Sequence, residues 1–89
     1  MDKTLYCKMN LFTLNIPVYI VEDDNFELIG ETNRDNIVEY LMNKCEADSE
    51  IDHIIIFGPE GEGVKAQMLE KCQTNYKFNN VRIEVNPNV

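Results

Sequence analysis

The first third of the chain shows the two-residue apolar alternation of half-buried β-strands. Leu5, Cys7 and Met9 occupy every second position of the first such segment. Because successive side chains of a strand point to opposite faces of a sheet, this spacing predicts one buried face. Further apolar runs predict strands over residues 16–21 and 26–30. The polar segment 22–25 between them predicts a four-residue turn, and therefore a β-hairpin.

Two later segments show the three- and four-residue spacing of amphipathic helices, which places apolar side chains on one side of each helix. The apolar positions of the first are Ile37, Val38, Leu41, Met42 and Cys45. Those of the second are Val64, Met68, Leu69, Cys72 and Tyr76. Thr32 followed by Asp35 matches a capping box, so we expect Thr32 to cap the first helix.

Two more strands complete the predicted order of elements. Residues 54–57 are apolar at every position, which predicts a strand buried on both faces. Residues 81–85 alternate and predict a last strand with one wet face, which we interpret as a sheet edge open to pairing with another chain. The order β-β-β-α-β-α-β predicts an α/β (α+β) fold with a mixed five-stranded sheet, formed as one domain by residues 1–89.

This order of elements resembles that of the ribonuclease-H-like fold. The resemblance implies carboxylates that converge from the first strand, the first helix and the end of the fourth strand to hold metal ions. Asp35 or Glu39 could point from the helix and Glu60 follows the fourth strand, but residues 5–9 contain no acid. We therefore expect this topology without its catalytic acids, and no metal or other cofactor.

The charge of the chain changes the picture because it is concentrated in one segment. The formal net charge is −8, and residues 22–62 hold thirteen of the sixteen acids but only two of the eight bases. Such a field repels a nucleic-acid backbone, so we expect no direct nucleic-acid binding. The simpler interpretation of this acidity is solubility, and the alternative is an acidic face that docks on a protein partner with a basic surface. The acids beside the predicted turns form a candidate acidic interaction face: Glu22, Asp23, Asp24, Glu60 and Glu62.

A glycine-rich loop is the candidate for ligand binding. Gly58, Gly61 and Gly63 lie between a predicted strand and a helix, where backbone N–H groups can hold an anion. The loop matches neither common nucleotide-binding pattern, and Glu60 and Glu62 would repel a phosphate. We favour a strand-to-helix turn whose glutamates complement the helix dipole, and keep anion binding as the alternative.

Cysteine usage and hydropathy bear on the compartment. Three widely spaced cysteines are an odd number, which favours free thiols in a reducing cytoplasm. Cys45 and Cys72 fall on the apolar stripes of the helices, where a thiol behaves as a small hydrophobe. No C-x-x-C pair indicates a zinc site, and no apolar run approaches the ~20 residues that cross a bilayer.

These observations favour a non-enzymatic function. We hypothesise a small intracellular protein-interaction module, an accessory or inhibitor protein of bacterial or phage origin that forms homo-oligomers, most simply a homodimer. An acidic face that mimics nucleic acid is one variant of this hypothesis. The alternatives are a small-molecule or nucleotide binder that uses the glycine-rich loop, and a degenerate ribonuclease-H-like nuclease.

Overall fold

The computed structural model describes residues 3–9, 14–74 and 81–86. They form a mixed five-stranded sheet and two helices. The strands are β1 (Lys3–Lys8), β2 (Ile16–Glu22), β3 (Asn25–Thr32), β4 (Ile51–Phe57) and β5 (Arg82–Asn86). The helices are α1 (Ile37–Ala47) and α2 (Gly61–Thr74). The sheet order is β3-β2-β1-β4-β5, with antiparallel pairing among the first three strands and parallel pairing of β4 with β1 and β5. The predicted fold class and order of elements are confirmed, and they agree with the ribonuclease-H-like interpretation.

Both helices pack on the same face of the sheet. Alternate residues of the strands join apolar residues of α1 and α2 in one buried cluster. Its fully buried members include Leu5, Cys7, Val18, Leu41, Ile54 and Ile56. The shortest dimension of the molecule is 20 Å, which is the thickness of one sheet and one helix layer at about 10 Å each. The fold therefore has two layers, and the described elements leave the other face of the sheet without a covering helix.

The prediction that β4 is buried on both faces is wrong. Ile54 and Ile56 are fully buried beneath the helices, whereas Ile55 and Phe57 on the opposite face are only half-buried. The central strand of the sheet is β1, and β4 lies one position from the edge. A continuous apolar run reports apolar side chains on both faces, but it does not say that a second layer covers them.

The hairpin between β2 and β3 is tighter than predicted. Glu22 pairs with Asn25, so the turn itself contains only Asp23 and Asp24. Both aspartates have positive φ, 51° and 67°, as a two-residue hairpin turn of type I′ requires. Asp and Asn tolerate this left-handed conformation better than most residues, which explains why an acidic pair occupies the turn.

The predicted cap of the first helix is also wrong. Thr32 is the last residue of β3 and pairs with Ile16, and α1 begins only at Ile37. The chain turns instead at Asn33, whose side-chain Oδ1 accepts the Asn36 N–H at 3.0 Å. In α2, Val64 and Met68 are buried as predicted. Leu69 is 44% exposed, and Tyr76 lies outside the described residues.

Candidate functional site

Four aromatic side chains meet on the face of the sheet opposite the helices. Tyr6 lies at the centre, with ring centroids 5.6 Å from Phe26, 5.7 Å from Phe57 and 6.2 Å from Tyr19. The ring of Phe26 is nearly perpendicular to that of Tyr6, at 83°, a favourable edge-to-face arrangement. Each ring comes from a different strand, so strand pairing assembles the cluster.

Aliphatic residues extend this cluster across the sheet. The pairing places Ile55 beside Tyr6, and it places Leu28 beside Tyr19. We call this surface the open face, and its apolar members are Tyr6, Pro17, Tyr19, Val21, Phe26, Leu28, Ile55 and Phe57. Phe26 and Leu28 are 62% and 55% exposed, although both are large apolar side chains. Contiguous exposed apolar surface of this kind marks binding sites more often than isolated apolar residues do.

The open face is nearly neutral in charge, unlike the molecule as a whole. The exposed Asp52 lies at the register irregularity at the start of β4, where alternation does not fix its face. The other charged residues of this face within the described part of the chain, placed by strand alternation and register, are Lys8, Arg82, Glu31 and Glu84. These are two bases and two acids on a chain of net charge −8. The excess of acid is therefore carried by the helix layer, the loops and the ends of the sheet, while the apolar face carries little net charge.

The five acids of the candidate acidic interaction face do not come together. Glu22, Asp23 and Asp24 lie at the hairpin end of the sheet, where β1 and β4 begin. Glu60 and Glu62 lie beyond Phe57, at the end where β1 and β4 finish. The sheet thus separates two acidic groups that the sequence places in one segment.

At the hairpin end, Lys3 partly neutralises the acids. Its Nζ lies 2.6 Å from Asp48 Oδ2 and 3.9 Å from carboxylate oxygens of Glu22 and Glu50. The hydrogen bond to Asp48 raises the pKa of Lys3, assisted by the three carboxylates and opposed by desolvation. The same bond lowers the pKa of Asp48, which also accepts the Glu50 N–H at 3.0 Å. Lys3 therefore ties the start of β1 to the loop before β4.

Packing accounts for two of the three glycines in the candidate anion loop. Gly58 has φ of +132°, and an added Cβ would collide with the backbone carbonyl of Met9. A Cβ on Gly61 would lie 2.7 Å from Val85 Cγ1, whereas one on Gly63 would meet nothing within 4 Å. The Gly58 N–H donates to the Asn86 carbonyl at 2.9 Å. Close approach of neighbouring chain segments thus explains Gly58 and Gly61. Anion binding by the loop stays a prediction.

Glu60, the acid that follows β4, forms an ion pair with Arg34, which precedes α1. Arg34 Nε donates to Glu60 Oε2 at 2.5 Å. The contact joins the segment before α1 to the segment before α2. Among the described residues, no group of three or more His, Cys, Asp or Glu side chains is placed to hold a metal ion. Asp35, Glu39 and Glu60 accordingly form no such group.

The thiols and the histidine lie on different faces of the sheet. The thiols of Cys7 and Cys45 are buried in the core, and burial raises the pKa of Cys7 to about 12. His53 is on the open face, with Nδ1 3.4 Å from Arg82 Nη2 and Nε2 3.6 Å from Glu84 Oε2. The sheet therefore separates His53 from both thiols, which prevents a nucleophilic pair between them. The side chain of Cys72 lies outside the described part of the structure.

Comparisons with known proteins agree with the fold and go no further. No protein-family model matches the sequence, and no curated protein matches it. A similar solved structure is the crystal structure of Archaeoglobus fulgidus Pelota, reported to reveal inter-domain structural plasticity. The TM-score is 0.60 and the identity 14%, and the alignment covers 98% of this chain and 27% of the Pelota chain. The chain thus spans about a quarter of Pelota's length, and the likeness defines an α/β fold only. In the part of the chain that the structure describes, no helix is long and apolar enough to cross a membrane.

Proposed function

We propose that this chain is a non-enzymatic protein-interaction module that binds its partner through the open face. The observation that carries the proposal is the exposure of large apolar side chains, led by Phe26 and Leu28, around an aromatic cluster. Full burial of side chains of this size contributes about 1.5–3 kcal/mol each, so a partner that covers them gains a substantial driving force. Aromatic residues are also the type most enriched at the centres of protein interfaces.

The electrostatics of the open face favour a protein over a nucleic acid. Aromatic side chains on a sheet can stack on bases, but nucleic-acid affinity depends mainly on contacts between basic side chains and phosphates. Lys8 and Arg82 are the bases of this face, and Glu31 and Glu84 offset them. A net charge of −8 adds a long-range repulsion of phosphates. We therefore propose that the partner of the open face is a protein chain.

Site-specific photocrosslinking tests the proposal directly. A benzophenone amino acid replaces Tyr19, within the aromatic cluster of the open face, or, as the matched control, Leu69 on α2. Leu69 is an exposed apolar residue in the helix layer, with 44% of its surface accessible. We expect one defined protein, identified by mass spectrometry, to crosslink at position 19 and not at position 69.

The crosslinked partner is then purified and titrated against the unlabelled chain. Leu28→Glu is expected to weaken binding, because it places a charge within the apolar contact, and Leu69→Glu is expected to leave binding unchanged. Equal crosslinking at positions 19 and 69, or equal affinities of the two glutamate variants, would count against the open face as the binding surface.

A further inference from the structure

We infer that the open face is covered by a second copy of this chain, in a symmetric face-to-face dimer. The inference rests on the proposed function, because it names the occupant of the same surface. Its first support is size. The two longer dimensions of the molecule are 33 and 30 Å, and an ellipse of that size covers about 780 Å². That outline belongs to the whole molecule, and the open face lies within it. A stable protein interface buries about 800 Å² on each partner, so a contact that extends over the open face and its rim reaches the size that a dimer needs.

The second support is charge. Two chains of net charge −8 repel each other wherever their acidic surfaces meet. The open face reduces this repulsion because Lys8 and Arg82 offset Glu31 and Glu84. It is therefore a surface on which two copies can approach without placing like charges in excess, whereas the hairpin end and the segment before α2 present mainly acids.

The positions of these charges are self-complementary. Arg82 pairs with His53, which pairs with Thr4, so Arg82 on β5 is level with the start of β1. Glu31 on β3 pairs with Pro17. The neighbour of Pro17, Val18, pairs with Cys7, so Glu31 is level with the end of β1. The two charges thus lie at diagonally opposite corners of the face. A twofold axis in the plane of the interface that exchanges these corners places Arg82 of each copy opposite Glu31 of the other.

The same axis satisfies the remaining two charges. With strands about 4.8 Å apart and residues about 3.3 Å apart, it brings Lys8 within about 5 Å of Glu84 of the second copy in projection. The axis passes over Tyr6 and Phe57, so these two rings face their own counterparts. One symmetry operation therefore brings the two aromatic clusters together and pairs these four charges.

Light scattering coupled to size-exclusion chromatography tests the dimer. At about 100 µM, we expect a mass of twice the 10.3 kDa of the chain. Leu28→Glu is expected to weaken the dimer about tenfold or more, while Leu69→Glu on the helix layer leaves it intact. Circular dichroism verifies that both variants fold. A wild-type monomer at this concentration, or a dimer that Leu28→Glu leaves unchanged, overturns the inference.

A charge-reversal pair tests the symmetry itself. Arg82→Glu and Glu31→Arg each place like charges opposite one another and should each weaken self-association. In a mixture of the two variants, both contacts again join opposite charges, so heterodimers should form and native mass spectrometry should detect them. Lys65→Glu, on α2, is the charge-matched control and should behave as the wild type. Failure of the mixture to associate more strongly than either variant alone overturns the proposed symmetry.

The photocrosslinking experiment separates failure of this inference from failure of the proposed function. A crosslink at position 19 to the chain itself supports the dimer. A crosslink there to a different protein, together with a monomeric wild type, overturns the dimer and leaves the open face as a protein-binding surface. Absence of any crosslink specific to position 19 removes both.

Discussion

Replacement of Gly58 by alanine is the sharpest test of the loop that joins β4 to α2. Gly58 has φ of +132°, a conformation that residues with a Cβ rarely adopt. The added methyl group would also collide with the Met9 carbonyl oxygen. Met9 cannot move away freely, because its own N–H donates to the Phe57 carbonyl at 2.6 Å. The loop is thus fixed between the end of β1 and the Asn86 carbonyl at the end of β5.

The expected cost follows from these two effects. A residue held in a sparsely populated backbone conformation costs about 1–3 kcal/mol, and an overpacked contact costs about 1–3 kcal/mol. Together they lower the free energy of unfolding by about 2–6 kcal/mol. A chain of this length has about 5–10 kcal/mol in total, so the variant should lose a large part of its stability. The midpoint of thermal unfolding should fall by at least about 8 °C.

Urea unfolding followed by circular dichroism measures this cost, with Gly63→Ala as the matched control. An added Cβ at Gly63 meets nothing within 4 Å and lies in the first turn of α2. Gly63→Ala should therefore stabilise the protein by about 0.4–1 kcal/mol, because alanine reduces the freedom of the unfolded chain. The same substitution five residues apart thus has opposite signs. If Gly58→Ala is as stable as the wild type, the close approach of Met9 is refuted.

Three further predictions concern charge, thiol reactivity and packing. The stability that Lys3 provides is the difference in the free energy of unfolding between the wild type and Lys3→Gln, measured by urea unfolding at several pH values. It should be present above about pH 4 and disappear as the pH falls further, because the pKa of Asp48 lies below its unfolded value. It should also be lost above about pH 10.5, because the pKa of Lys3 is raised. Cys7, with a pKa of about 12, should resist iodoacetamide at about pH 8 in the native protein and react after unfolding, as peptide mass spectrometry measures; rapid native alkylation would contradict its burial. Leu41→Ala, in the core, should lower the free energy of unfolding by about 2–5 kcal/mol, while Leu14→Ala, at a residue that is 81% exposed, should change it by less than about 0.5 kcal/mol; similar values for the two would contradict the assigned core.

Local pattern was a reliable guide to the elements of this fold. Alternation at Leu5 and Cys7 and three- and four-residue spacing around Leu41 both report burial on one side, and both interpretations are confirmed. Thr32 shows where this reasoning fails. Its capping-box spacing is local, but pairing with Ile16 in the sheet extends β3 to Thr32 and so moves the helix start to Ile37.

The candidate site was much harder to predict. The alternation of β2 places Tyr19 on the face opposite Val18, but a single tyrosine there needs no functional explanation. The aromatic cluster exists because Tyr6, Tyr19, Phe26 and Phe57, which are spread over some fifty positions, pair in register on one face. The one local signal was the apolar character of β4 on both faces, which predicted burial and not exposure.

The sequence by itself determined the periodicities, and therefore the strands, the helices and their order, because these depend on neighbours a few residues apart. It also determined the acidic charge of residues 22–62. Only the tertiary structure decided that both helices cover the same face, that the sheet separates Glu22 from Glu60, and that the other face carries exposed aromatic residues with balanced charges. Those properties depend on strand order and on the side to which each crossover helix packs, which are set by contacts between distant residues that local spacing does not encode.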